Sequence, residues 1–353
     1  MCLSLRHDPS SSPCVVVVES DAGIQCVAPC SCRERSYPLR LGLVQVAASR
    51  ARILKIHGDT FVHATGADVR ANTRIVLDAL ASPGMDWDFM LLENLPVPSP
   101  MWDHFHDVGA CVGTLSMDVL PGRMQKVSWL DLPASFEKYL ASMASDTRYN
   151  LLRRRRKLEA EAGGRMELLR TTRPDQVPLF IEQADRVSAQ SWQAAALGMA
   201  GHSNETERIR LTRIAEAGWL RSYVLQCGGV PVAFVLGYQY GDAYYHDETA
   251  YDQSWAKWGP GTVLNLMLIE DLFGENRPAV LDFGFGDNEY KRVFGSRTGD
   301  ACVAFISDAR RARGRTIVER QMLLARLEQG VRAGLRVLRL DRLARKWIKR
   351  RRG

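Results

Sequence analysis

Residues 219–294 read WLRSYVLQCGGVPVAFVLGYQYGDAYYHDETAYDQSWAKWGPGTVLNLMLIEDLFGENRPAVLDFGFGDNEYKRVF, and the organisation of the chain follows from them. From Trp219 onward apolar and polar residues alternate with period two, the signature of strands. LRSYVLQC (220–227) and VAFVLGYQY (232–240) meet at Gly228–Gly229, a pair that accepts the positive φ of a tight hairpin. Gly241–Asp242 makes a second hairpin into AYYHDETAYD (243–252). WGPGTVLNLMLIEDLF then opens a helix, VLDFGFGD returns as a strand, and a segment bearing Tyr290 and Lys291 follows. Gly259 and Gly261 stand just ahead of the helix. There, unpaired backbone N–H groups and the helix dipole favour an anion such as a pyrophosphate, and a Cβ would hold its oxygens away. Pro260 presets a helical φ and Thr262 can add a hydroxyl donor.

The chain has 353 residues, enough for two domains, with 46% hydrophobic and 25% charged residues. Its formal charge of +7 belongs to one end. Residues 339–353 hold eight bases and the single acid Asp341, which accounts for the whole excess. No basic face spread over the fold is implied, so nucleic acid is not a favoured partner. Of the eight cysteines only Cys26, Cys30 and Cys32 cluster, without the second ligand pair that a zinc site needs, and no metal is expected. CVVVV (14–18) is too short for a secretory core, and no run approaches the ~20 apolar residues of a membrane span. These features point to a soluble, cytoplasmic protein.

Upstream, residues 1–38 are rich in Ser, Pro and Cys and read as a poorly ordered leader. Residues 39–130 alternate strand-like runs (39–48, 52–64, 88–95) with a helix over 69–82, whose face is marked by Ile75, Leu77 and Leu80. Residues 131–310 form a second lobe. Within it, 132–163 is one kinked helix or two, capped at Ser135 and again near Ser145 and Asp146, and closed by Gly163 and Gly164. Residues 311–353 read as a basic helical extension; Leu340, Leu343, Ala344 and Trp347 keep helical spacing among arginines and lysines, so a weak contact of 339–353 with an anionic membrane surface is open.

Group-transfer chemistry beside an anion-holding turn calls for a side chain that can take a proton. On the third meander strand, alternation puts Tyr245, Asp247 and Thr249 on one face and His246 with Glu248 on the other. Glu248 is the first candidate for the base and His246 the second. Arg153–Lys157 is a run of five bases on a helix, which cannot all share one face. Arg148, Asn150 and Arg153 are candidates for reaching an anionic acceptor such as a sugar nucleotide or a lipid-linked sugar, and Arg154 to Lys157 read as surface charge. DHFHD (103–107) sets its histidines two apart and is assigned no role.

AKWGPG (256–261) resembles the Gln/Arg-x-x-Gly-x-Gly/Ala loop of the GNAT superfamily, with Ala256 in place of the usual Gln or Arg. YDQSWAKWGPGTVL, LDFGFGDNEYKRVFG and SFEKYLASMASDTRYNLLRRRRKLE look like the CelD-like acetyltransferases associated with cellulose and exopolysaccharide synthesis. YKRVFG also resembles an ending of FemABX-like aminoacyltransferases. The resemblance spans roughly residues 40–310. It implies an α+β (α/β) protein of two GNAT-like lobes, each a mixed, mostly antiparallel sheet flanked by helices. It implies an acyltransferase that uses acetyl-CoA, held by Trp258, Gly259, Gly261 and Thr262. It further implies that Tyr290 protonates the departing thiolate, that Lys291 binds an anionic part of the acceptor with Asp287 orienting either, and that Trp192 stacks on a sugar. Transfer is expected to be direct, since no Ser or Cys nucleophile pairs with a His. The alternatives are aminoacyl transfer from a charged tRNA, and a degenerate GNAT-like scaffold or polysaccharide-binding protein.

Overall fold

The structure, a computed structural model, describes residues 11–41, 44–57, 61–106, 111–191 and 204–337. The chain divides into two compact units, Met1–Lys126 with Gly299–Gly353, and Val127–Thr298.

The first unit begins with β1 (Ser11–Ser20), β2 (Gly23–Leu41), β3 (Val44–Ile56) and the short β4 (Val62–His63). Helix α1 (Val69–Leu80), β5 (Phe89–Val97), α2 (Pro100–His106), β6 (Cys111–Val112) and β7 (Leu115–Val119) follow. The segment expected to be a poorly ordered leader is therefore strand from Ser11 onward, paired antiparallel in register Cys14 to Cys30. Cys26, Ala28 and Cys30 are buried in this unit's core. Period two was present there, but it is written in cysteine and alanine, residues too small to stand out as a hydrophobic alternation. The strand expected over 39–48 is divided between the end of β2 and the start of β3. Helix α1 is capped by Asp68, which accepts from the Ala71 amide at 3.0 Å. It buries Val76, Leu77 and Leu80, while Ile75, expected on that face, is exposed.

The second unit holds β8 (Gln125–Asp131), α3 (Phe136–Ser142), α4 (Ser145–Glu161), β9 (Met166–Thr171), α5 (Val177–Ala189) and α6 (Glu205–Glu216). Then come β10 (Ser222–Cys227), β11 (Val230–Tyr240), β12 (Ala243–Tyr251), a 3-10 turn at Gln253–Trp258, α7 (Pro260–Leu272), β13 (Val280–Phe285) and α8 (Glu289–Phe294). The sheet runs β8-β13-β12-β11-β10-β9 and is antiparallel except where β12 meets β13. Residues 132–163 resolve into two helices, the first capped by the Ser135 hydroxyl accepting from the Lys138 amide. Leu151, Leu158, Leu264 and Leu268 pack on one face of the sheet; Phe180, Val187, Leu211 and Phe234 pack on the other. Each such buried side chain contributes roughly 1.5–3 kcal/mol.

The chain closes with β14 (Arg297–Asp308), which pairs with β5 and β7, and α9 (Ala312–Val337). Ile317, Val318, Met322 and Ala325 of α9 are buried with Phe89 and Phe305. The start of the expected extension is thus part of the first unit's core, because an apolar stripe precedes the basic run. Residues 339–353 lie outside the described residues. In both units a parallel pair, β3/β5 and β12/β13, is joined through a helix, α1 or α7. The mixed, mostly antiparallel sheets flanked by helices are the architecture expected from the sequence. Among the described residues no helix is long and apolar enough to cross a membrane.

Candidate functional site

In the second unit, β12 and β13 pair only from Ala243–Val280 to Tyr245–Asp282. Beyond that the parallel strands separate and their facing backbone groups lose their ladder partners. A bulge lies just past the same point. Leu236 faces Glu248 and Gly237 faces His246, so Asp247 is the extra residue in β12. The bulge resets the alternation. His246 lies on the α7 face, whereas Glu248, opposite Leu236, lies on the α5/α6 face with Asp247. The expectation that His246 and Glu248 share a face is corrected by this one inserted residue. Asp247 Oδ2 accepts from the Tyr238 hydroxyl at 3.1 Å, and Tyr238 accepts from Arg210 at 2.8 Å.

The chain leaves β12 through Asp252, whose carboxylate accepts from the Ser254 amide, and enters the 3-10 turn. Gly259 closes it in the left-handed region, φ 66° and ψ 52°, a conformation that favours glycine. Pro260 begins α7. The amides of Gly259, Thr262 and Val263 are taken up within the turn. That leaves the Gly261 N–H as the first-turn amide with no partner among the described residues. A Cβ at Gly261 would meet Tyr251 Cδ1 at 3.3 Å, and one at Gly259 would meet Nη1 of Arg154 at 2.8 Å. The turn is a cradle that side chains would fill, with one aimed amide and a guanidinium against it. An anionic ligand such as a diphosphate fits that donor set. Arg154, read from sequence as surface charge, is exposed, and the end of its guanidinium stands beside Gly259.

Among the buried residues of helix α7 Asn265, which is 2% exposed, is the polar one. Its Oδ1 accepts from Nε2 of His246 at 3.0 Å, and its Nδ2 donates to the Gly261 carbonyl at 2.9 Å. Burial pushes the His246 pKa down to about 4, with Lys291 adding to the effect and the Asn265 bond opposing it. The imidazole is therefore neutral at pH 7. Its ring lies 5.8 Å from Phe283 and 5.6 Å from Tyr290 between centroids. Burial lifts the Tyr290 hydroxyl to about 12, so it keeps its proton. At the far end of α7, the buried Arg221 donates to Tyr223 Oη at 2.7 Å, Gln239 Oε1 at 2.7 Å and Asp271 Oδ2 at 2.9 Å. This anchors the helix to β10 and β11.

Among the residues chosen from sequence, His246, Tyr290, Gly259, Gly261 and Thr262 come together on one side of the opening. Trp258 stands just before the turn, 5.3 Å from Trp255. Lys291 is 4% exposed and donates to the Phe285 carbonyl, so its side chain faces inward rather than toward an acceptor. Burial brings it down to about 8. Asp287 does not orient Tyr290 or Lys291; it pairs with Arg292 at 2.9 Å on the surface. Arg148 donates to the Leu140 carbonyl at 3.4 Å, Arg153 lies over Tyr149, and Asn150 faces solvent. Trp192 lies outside the described residues. Asn265 had one signal in the sequence, a lone amide in an apolar helix; Arg154 had none. Among the described residues no group of three or more His, Cys, Asp or Glu is placed to hold a metal.

Residues 145–292 match the family model of an acetyltransferase (GNAT) domain. The solved structure of FemX aligns over 87% of this chain and 90% of its own, at 12% identity and a TM-score of 0.57. L-PGS from Bacillus licheniformis aligns over 88% and 89%, at 12% identity and a TM-score of 0.50. A conserved protein of unknown function from Bacteroides thetaiotaomicron aligns over 86% and 88%, at 12% identity and a TM-score of 0.51. At such identities the likeness is one of fold. No curated protein matches the chain. The domain match and the fold support an acyltransferase.

Proposed function

We propose that the chain transfers an acyl group, most simply acetyl, from coenzyme A directly to an amine or hydroxyl of a sugar-like acceptor, as a CelD-like enzyme of exopolysaccharide synthesis would. The observation that carries this reading is the Gly259–Gly261 turn, with its free Gly261 amide, at the end of a strand whose ladder to β13 stops after three residues.

In this reading the Gly261 N–H, the Thr262 hydroxyl and Arg154 hold the donor diphosphate. The acyl arm enters where β12 and β13 separate, and a strand N–H freed there polarises the thioester carbonyl. Glu248, on the α5/α6 face, takes the acceptor proton directly or through water. The carbon–nitrogen or carbon–oxygen bond forms as the carbon–sulfur bond breaks. Tyr290, protonated through neutral pH, donates a hydrogen bond to the leaving thiolate. His246 is a positioning residue, neutral and committed to Asn265.

The tRNA-dependent alternative asks for a broad basic surface, yet the formal charge outside residues 339–353 is zero. The experiment is release of free coenzyme A thiol from acetyl-CoA with a panel of amino sugars and neutral sugars. Acceptor-dependent release supports the reading. Binding of acetyl-CoA without release for any acceptor favours a scaffold, and transfer from aminoacyl-tRNA instead overturns the donor.

A further inference from the structure

In the first unit the register of β1 adds Cys14 to the cluster of Cys26, Cys30 and Cys32. β1 is the end strand of its sheet and pairs with β2, which sets Cys14 directly opposite Cys30. Both side chains lie on the face that holds Val76 and Leu77 of α1. Cys30 is 1% exposed within that core, and the half-buried Cys14 packs against it. On the β3 side, the carbonyl of Pro29 accepts from the His57 amide at 2.9 Å. Successive residues of a strand turn their peptide groups to opposite neighbours, so those of Cys30 face β1. Cys14 and Cys30 are thus a hydrogen-bonded cross-strand pair, with Cα atoms about 5.5 Å apart. Disulfides most often span about 5.5–6 Å between Cα atoms. Cys32 is diagonal to Cys14, at about 7–8 Å, which is too far to bridge without moving the backbone. Its Sγ instead donates to the Asp86 carbonyl at 3.4 Å. Cys26 stands opposite Val18.

We propose that Cys14 and Cys30 form a reversible dithiol–disulfide pair that reacts with low-molecular-weight disulfides and fastens the edge strand β1 to its sheet. Cys14, the more accessible partner, attacks one sulfur of the reagent as a thiolate; the reagent's S–S bond breaks and one thiolate leaves. Cys30 then gives its proton to solvent and attacks Cys14 Sγ, expelling the second thiolate. Two electrons pass to the reagent, which ends as two thiols once protonated. Burial raises the Cys14 thiol, and burial with Cys14 beside it pushes Cys30 up to about 12. The closing step is therefore slow, on the scale of minutes to hours. Side chains of a hydrogen-bonded pair start farther apart than a bridge prefers, and the strain of closing that gap keeps the bond reducible.

The test equilibrates the full chain with oxidised glutathione at mildly alkaline pH and alkylates the remaining thiols. Cleavage after Glu19 separates Cys14 from Cys30, and tandem mass spectrometry identifies any linked peptides. The expected product is a Cys14–Cys30 link that excess reduced glutathione removes. Cys32→Ser is expected to keep the link. Cys14→Ser, altered at the half-buried partner so that the core stays filled, is expected to abolish it. Hydrogen exchange of the β1 amides bonded to β2 is expected to slow about tenfold in the linked form. A link from Cys14 to Cys26, to Cys32 or to a second chain would overturn the pairing. So would glutathione retained on Cys14 of the unaltered chain, or no reaction at Cys14. Unchanged exchange in the linked form would overturn the fastening of β1.

Discussion

Nε2 of His246 donates to Oδ1 of Asn265 at 3.0 Å, and the same amide, through Nδ2, donates to the carbonyl of Gly261. One buried side chain thus ties the bulged strand to the glycine turn. Strand separation and turn geometry are not independent features; they share Asn265.

Asn265→Leu keeps the volume and removes both bonds, leaving a buried imidazole N–H unpaired. A loss of about 1–3 kcal/mol in stability is expected, together with weaker acetyl-CoA binding. Urea denaturation and calorimetry on the same variant measure the two effects. Unchanged affinity would show that the link carries no positional information.

Stability is expected to fall in mild acid because of His246. Folded, this group titrates near 4; unfolded, it returns to about 6.5. Between those values the unfolded chain binds a proton that the folded chain refuses. Its contribution is complete above about pH 6.5 and is lost as pH drops toward 4, by at most about 1.4 kcal/mol per pH unit. His246→Gln should flatten that part of the profile, and denaturation midpoints at several pH values between 4 and 7 would reveal it.

Arg221 is 4% exposed and holds Tyr223, Gln239 and Asp271 at once. Arg221→Ala strands these partners, for a loss of about 3 kcal/mol. Because the anchor lies at the C-terminal end of α7, thermal melting should show a lower midpoint with cooperativity retained. A midpoint within a degree of the parent would contradict the anchoring role.

Tyr290→Phe keeps the ring packed near His246 and Phe283 and deletes the hydroxyl. The turnover rate is expected to drop about 10- to 100-fold with little change in KM for the acyl donor. A variant with an unaltered rate would remove Tyr290 from the chemistry.

Much of this was legible in the sequence, and the limits are physical. The meander of β10, β11 and β12 and the glycine turn were readable because period two and paired glycines are local signals. The bulge at Asp247 was not, since register against a neighbouring strand is a tertiary property; it alone reversed the face of Glu248. Lys291 was expected to reach an acceptor, yet its chain folds inward to the Phe285 carbonyl, a contact no local pattern encodes. Residues 11–38 misled in the opposite direction: Cys26, Ala28 and Cys30 make a buried strand face from residues that resemble a loop in composition.

The donor seat itself is tested most directly by titrating acetyl-CoA into the unaltered chain and into Gly261→Val, with heat as the readout. A Cβ there meets Tyr251 at 3.3 Å, and the branched methyls of valine crowd the one free amide of the turn. Saturable heat with the parent and none with a folded Gly261→Val is the expected result. No heat with the parent, or the same affinity in both, would contradict it.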